Sequence, residues 1–239
     1  METPGSPYQS SDPLGMLTML VNAGGPVVLI LLAMSLLAAT IIIAKLWQFH
    51  AARIGDLRTP RRAAELYAAG DTVSARALLN HEGHPVQVVL ELAMRGHRRS
   101  DLSADALRQS IARVGADQLE GLRSYLKPLE VIGTLAPLLG LFGTVLGMIE
   151  AFRDLELAGT QVSPAVLSSG IWQALLTTAV GLGVAIPVVA LLSWLERRVD
   201  RTAHEMEATV SQVLTSTLTV RGDHHHAPGN APGIHPAAE

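Results

Sequence analysis

Two stretches decide the fold: VIGTLAPLLGLFGTVLGMI at 131–149 and WQALLTTAVGLGVAIPVVALLSWL at 172–195. Both lack Asp, Glu, Lys, Arg and His. Nineteen residues at about 1.5 Å each reach about 28 Å, close to a bilayer core of about 30 Å, so each stretch is long enough to span. A helix that only faces lipid is well served by Leu, Ile and Val. These two are instead crowded with Gly133, Thr134, Pro137, Gly140, Gly143, Thr144 and Gly147 in the first, and Gln173, Thr177, Thr178, Gly181, Gly183 and Pro187 in the second. Small and hydroxylated residues at that density imply close helix packing or a polar interior.

The spacing sharpens this reading. Gly133, Pro137, Gly140, Thr144, Gly147 and Ala151 follow one another in steps of four and three, which puts them on one narrow helical stripe. Gly143 and Gly147 add a second small-xxx-small pair. Ala174, Thr178, Gly181 and Ala185 form a matching stripe in the other stretch, with Gln173 and Thr177 one position round the helix. A lone threonine in such a helix usually donates back to a carbonyl one turn earlier. Thr144, Thr177, Thr178 and Gln173 together, with Pro137 and Pro187 each freeing a backbone carbonyl, are expected to line a hydrated or partner-filled lumen. Gly133, Pro137, Gly140, Gly143, Gly147, Gly181 and Pro187 are expected to pack helix on helix.

Working outward, 26–44 is a third apolar stretch of membrane length. It is read as a retained span, because the segment before it carries Glu2 and Asp12 but no Lys or Arg, unlike a signal peptide. Of the 239 residues only 16% are charged, and mean hydropathy is +0.31, as expected of an integral membrane protein. There is no cysteine, which excludes disulfides, thiolate metal sites and cysteine nucleophiles. A net charge of −3 without a basic, aromatic-laced run gives no sign of nucleic acid binding.

Charge also orients the chain. With the N-terminus outside, the outer segments hold one of the eighteen Lys and Arg, Arg153, and the rest lie on the cytoplasmic side. The expected organisation is all-α. It comprises a periplasmic segment at 1–25 with a short interfacial helix over 14–22, and spans at 26–47, 128–150 and 172–195. A cytoplasmic helical domain occupies 48–127, a periplasmic loop 151–171, a cytoplasmic helix 196–220 and a disordered tail 221–239. Within 48–127, Thr59 is expected to cap a helix with Pro60 at its first position, Gly70 to close it, Asp71 to cap the next and Pro85 to open another. From Ser103, apolar positions recur every three to five residues into the second span, which predicts one long helix. His224, His225 and His226 read as a solvated tail rather than a metal site. No cofactor, metal or catalytic constellation is expected, and His81 and His84 sit in an ordinary polar turn before Pro85.

The segments IGTLAPLLGLFGTVLGMIEAF at 132–152 and GIWQALLTTAVGLGVAIP at 170–187 resemble the signature of the ExbB/TolQ/MotA proton-channel family, most closely its ExbB branch. The resemblance covers about 14–214. It implies a subunit of an inner-membrane motor in a Gram-negative bacterium. Five copies would surround the single spans of an ExbD-like partner dimer, whose aspartate carries the proton, and the assembly would energise a TonB-like protein for uptake through the outer membrane. Thr144 and Thr178 match the pore-facing threonines of the family. The position of Gln173 is a glutamate in many relatives, so no titratable role transfers to it.

If protons cross here, the residues require the titrating acid to come from another chain or from the carboxylates at the edges of the spans. Neither an amide nor a hydroxyl takes and releases a proton near neutral pH, and only Lys45, Glu130 and Glu150 stand at the edges of the spans. A TolQ-like subunit of an envelope-constriction system and a non-conducting membrane scaffold are the alternatives. The topology has a direct test: single cysteines at Ser11 and Ser163 should react with a membrane-impermeant thiol reagent in whole cells, and one at Ser74 should not. The reverse labelling would invert the orientation.

Overall fold

The structure, a computed structural model, describes residues 13–79, 83–97, 103–158 and 164–222. These form seven helices: α1 (Pro13–Ala51), α2 (Arg58–Ala68), α3 (Thr72–Leu78), α4 (Pro85–His97), α5 (Ala104–Arg123), α6 (Leu126–Ala158) and α7 (Pro164–Gly222). No strand occurs among the described residues. Three helical stretches, within Gly25–Ala51, Ala104–Leu157 and Leu167–Thr215, are long and apolar enough to cross a membrane. The histidines of the tail, and the thiol-test positions Ser11 and Ser163, lie outside the described residues.

Local chemistry sets the ends of the helices. α1 breaks at Gly25, whose φ of 60° falls in the region glycine tolerates, and restarts with Pro26 in its first turn. The short helix expected before the first span is therefore helical over 13–24, separated from the span by this kink. The cap of α2 is not Thr59, which lies inside the first turn. Asp56 Oδ1 accepts from the Arg58 and Thr59 amides at 3.3 Å each, and Oδ2 accepts from the Thr59 hydroxyl at 2.7 Å. A carboxylate just upstream satisfies the open amides better than a hydroxyl within the turn. Asp71 caps α3 as expected, accepting from the Ser74 amide at 3.0 Å, and Gly70 ends the preceding turn at φ 89°.

Two segments are more or less helical than the pattern suggests. The helix expected to run unbroken from Ser103 is interrupted at Ser124 and Tyr125, with Tyr125 at φ 62°. Periodicity survives the interruption because two residues displace the apolar phase little, so the pattern conceals it. The loop expected at 151–171 is helical to Ala158 and again from Pro164. The stretch AFRDLELA contains no glycine or proline to stop α6, and Pro164 is preset for the first turn of α7.

The chain divides into two compact units. The first, 1–48 with 123–197, holds the apolar spans. Its interior is built largely from small and β-branched residues, including Val28, Ala38, Ala136, Ala174, Thr177, Ala185 and Val188. Large apolar side chains such as Leu36, Ile43, Leu138, Leu141, Phe142, Ile149, Leu175 and Ile186 are exposed. The buried Lys45 donates to Gln48 Oε1 at 2.9 Å and to Ser124 Oγ at 3.1 Å, beside the Tyr125 ring, and so ties the end of the first span to the start of α6.

The second unit, 49–122 with 198–239, has the ordinary arrangement of a water-soluble bundle. Its core joins Ala63, Ala64, Tyr67, Ala75, Val86, Val89, Leu90, Ala93 and Met94 to Leu107, Ile111, Met206, Val210 and Val213. The Arg61 guanidinium forks onto Glu205, with Nε to Oε1 at 2.9 Å and Nη2 to Oε2 at 2.8 Å, and this pins α2 to α7.

The Thr59 hydroxyl, and with it the Thr59 and Arg58 amides, holds the Asp56 carboxyl below its ordinary range. Its contribution to stability is therefore full above the usual carboxylate range and is lost as pH falls through the lowered value. Asp56→Ala should destabilise the helical unit by about 1 kcal/mol at neutral pH. In chemical denaturation across pH, the gap between variant and parent should close in strong acid, where Asp56 is protonated.

Candidate functional site

The candidate site is the contact between α6 and α7 in the first unit. Residue numbers rise along one helix as they fall along the other, so the pair is antiparallel. Gly133 meets Val188 and Val189, Ala136 and Gly140 meet Gly181, Gly143 meets Thr177, Gly147 meets Ala174, and Ala151 meets Gly170. Backbone touches backbone at the centre. A β-carbon at Gly181 would stand 2.6 Å from the Ala136 carbonyl oxygen and 3.0 Å from Gly140 Cα. One at Gly140 would stand 3.0 Å from the Thr177 carbonyl oxygen and 3.1 Å from Thr178 Cα. At Gly143 the clash would be with the Thr177 hydroxyl, at 2.8 Å.

Two hydroxyls close the same contact. Thr178 Oγ1 donates across the pair to the Gly140 carbonyl at 3.1 Å. Thr177, 2% exposed, donates to the Ala174 carbonyl at 2.7 Å and sits 3.4 Å from the same Gly140 oxygen. Thr144 is half-buried and donates back to the Leu141 carbonyl at 2.6 Å. Within one chain all three hydroxyl protons are thus engaged by backbone carbonyls. A hydroxyl also has two acceptor lone pairs, and a carbonyl holding its proton leaves that acceptor capacity in place.

The structure brings together most of the residues that the sequence singles out and separates a few. Gly133, Gly140, Gly143, Gly147 and Gly181 all lie buried in the helix contact. Pro137 is half-buried, and Pro187 is exposed on the outer side of α7. Gln173 is half-buried next to Ala174. Sequence reasoning passed over Ala136, Gly170 and the Val188–Val189 pair. Ala136, three residues after Gly133 and four before Gly140, belonged to the stripe by spacing and was masked by the more conspicuous Pro137. Gly170 stood outside the apolar run, so no span-length window included it.

At the edge of the unit Lys127 pairs with Glu130 at 2.9 Å, so the nearest carboxylate before the second span is already matched. No group of three or more His, Asp or Glu that could hold a metal occurs among the described residues.

Comparison with known proteins points one way. The model of the MotA/TolQ/ExbB proton channel family matches residues 81–208, which contain the whole α6–α7 contact. A biopolymer transport protein exbB1 of Vibrio cholerae is 36% identical over 165 residues, 69% of this chain and 67% of its own length. A putative biopolymer transport protein ExbB-like 1 of Synechocystis is 34% identical over 165 residues, 68% of this chain and 64% of its own. The biopolymer transport protein ExbB of Neisseria meningitidis is 28% identical over 205 residues, 80% of this chain and 92% of its own. The chain thus spans about two thirds of the first two relatives and nearly all of the third.

The contact makes a matched prediction. Gly181→Ala forces two backbones apart, whereas a β-carbon at Gly183, two residues on, meets nothing within 4 Å. Gly181→Ala should lower stability by about 1–3 kcal/mol, read as a lower melting temperature in detergent, and Gly183→Ala should leave it unchanged.

Proposed function

The chain belongs to the MotA/TolQ/ExbB proton channel family, and on that premise we propose that it is an ExbB-like subunit of a motor in the bacterial inner membrane. Several copies, five by analogy, form a ring around the single spans of an ExbD-like partner, with the N-terminus in the periplasm. Protons crossing the membrane drive movement of the partner, which energises a TonB-like protein for uptake across the outer membrane. The family is one of proton channels, and on this reading the role is transport.

One observation carries this reading: the α6–α7 pair keeps hydroxyls among its small residues while its spans contain no group that titrates near neutral pH. The subunit then cannot carry the proton itself. It supplies fixed acceptors, the oxygens of Thr144 and Thr178 with Gln173 beside them, to which a protonated carboxylic acid or a water on a partner helix can donate, while the Thr177 hydroxyl is buried between α6 and α7. When the acid loses its proton its affinity for these acceptors falls, because a carboxylate has no hydrogen to give. Repeated, nearly equal seats round a ring would let that change advance the partner from one chain to the next. The membrane potential supplies about 2.3 kcal/mol per charge per 100 mV. Large apolar residues exposed on the spans suit packing against lipid and further copies.

Thr144→Val and Thr178→Val keep side-chain shape and remove the acceptor. Oligomer and fold should survive, with a loss of about 1 kcal/mol each, within the usual range for hydrogen bonds in membranes. Proton flux measured on co-expression with the partner, and uptake driven by it, should fall at least tenfold. Thr→Ser at the same positions should restore both, and Gln173→Ala should matter less. Transport at parental rates in both valine variants would reduce the hydroxyls to packing.

A further inference from the structure

The two residues between α5 and α6 hold an unusual backbone. Tyr125 has φ 62°, in the left-handed region that a residue with a β-carbon seldom enters. No glycine stands at this break, as one does at Gly25 and Gly70. The buried positions nevertheless pass straight through it. Leu122, Leu126, Leu129 and Ile132 follow in steps of four, three and three, so an unbroken helix would present the same apolar face. Pro128 explains why the helix breaks at all. In a continuous helix its ring would press on the Ser124 carbonyl four residues earlier. In the first turn of α6, where amides have no carbonyl partner within the helix, the same ring costs little. A left-handed tyrosine in one form and a helical proline in the other are penalties of similar size, so the two backbones stand close to balance.

We propose that the Ser124–Tyr125 joint is a two-state switch at the start of α6, and that Lys45 is the latch that selects its broken form. Lys45, Ser124, Tyr125 and Pro128 all belong to the first unit. Lys45 is 2% exposed, and its ammonium donates to Gln48 Oε1 on its own helix and to Ser124 Oγ at the break. It also lies 5.9 Å from the centre of the Tyr125 ring, a range at which a cation is drawn to an aromatic face. A buried ammonium cannot give up such partners without loss. The Ser124 oxygen and the Tyr125 ring both reach it from the break itself, and reversing φ at Tyr125 swings the ring away. Lys45 thus weighs on one side of a near-even balance. Once the ammonium is drawn off, α6 extends backward through Tyr125 and Ser124. The switch does not depend on the transport reading.

Solid-state NMR of the full chain in lipid bilayers reads the switch at its own residue. The torsion between the amide and α hydrogens of Tyr125 separates a φ of 62° from a helical φ of about −63°. The chain has three tyrosines, so Tyr8→Phe with Tyr67→Phe leaves Tyr125 as the one site for isotope-labelled tyrosine. With Lys45 intact, nearly all of the signal should come from the left-handed form. Lys45→Met keeps the bulk, removes the ammonium and should raise the right-handed fraction at least tenfold. Ser124→Ala leaves the lysine in place, removes its acceptor at the break and should shift the fraction the same way by a smaller factor. Pro128→Ala removes the opposing penalty and should also raise it, with the latch intact. A right-handed Tyr125 in the parent overturns the proposal. So does a Tyr125 that stays left-handed in both Lys45→Met and Ser124→Ala, since the lysine then only fills space. Should Lys45→Met fail to assemble, Ser124→Ala decides by itself. An unchanged fraction in Pro128→Ala overturns the balance on which the switch depends.

Discussion

The unit that holds the spans depends on how closely α6 and α7 can approach. At Gly140 and Gly181 the distance is set by backbone atoms, since a β-carbon on either would press into a carbonyl or an α-carbon of the other helix. In lipid there is little hydrophobic gain from burying one apolar helix against another, so dispersion at short range and hydrogen bonds across the contact must hold the pair. Glycine provides the short range. Thr178 provides the hydrogen bond, donating to the carbonyl of the same Gly140 that makes the close approach. The geometry that packs the helices is therefore the geometry that fixes the hydroxyls.

That constraint explains the inverted look of the first unit. Small residues fill the inside, and Leu138, Leu141, Phe142, Ile149 and Ile186 stand outside. In water this surface would be a serious aggregation hazard, and in a bilayer it is ordinary solvation. The second unit follows the opposite rule. Leu90, Met94, Ile111 and Val213 are inside, and the arginines of α2 are outside or paired. α7 contributes residues to both units, and along one uninterrupted helix the buried set changes from Ala174, Thr177 and Ala185 to Met206, Val210 and Val213.

Polar groups in the second unit act at defined points. Arg61 grips the largely buried Glu205 with two parallel bonds, an arrangement in which removal of Arg61 leaves a mostly buried carboxylate without its guanidinium. Thr202 and Thr209 are buried one turn either side of Glu205 and return their hydroxyls to their own helix, at Arg198 and at Glu205. A polar seam thus runs along α7. It sets the register of α2 on α7 in a way that interchangeable aliphatic side chains would not.

Much of this was legible in the residues. Three apolar runs, the steps of three and four among Gly133, Gly140 and Gly147, the helix-ending Gly70 and the capping Asp71 follow from short-range rules that act within one or two turns. The absence of Asp, Glu, Lys, Arg and His from 131–149 and 172–195 is likewise a property of the sequence alone. Tertiary structure decided what distant residues do to one another. Which carbonyl the Thr178 hydroxyl meets depends on a contact between positions 38 residues apart, and the Arg61–Glu205 grip on positions 144 apart. The break at Tyr125, closed over by Lys45 from another helix, left no mark on the apolar period. Local periodicity records which face of a helix is small or apolar. It does not record the partner that face will meet, because that is set by the packing of helices remote in sequence.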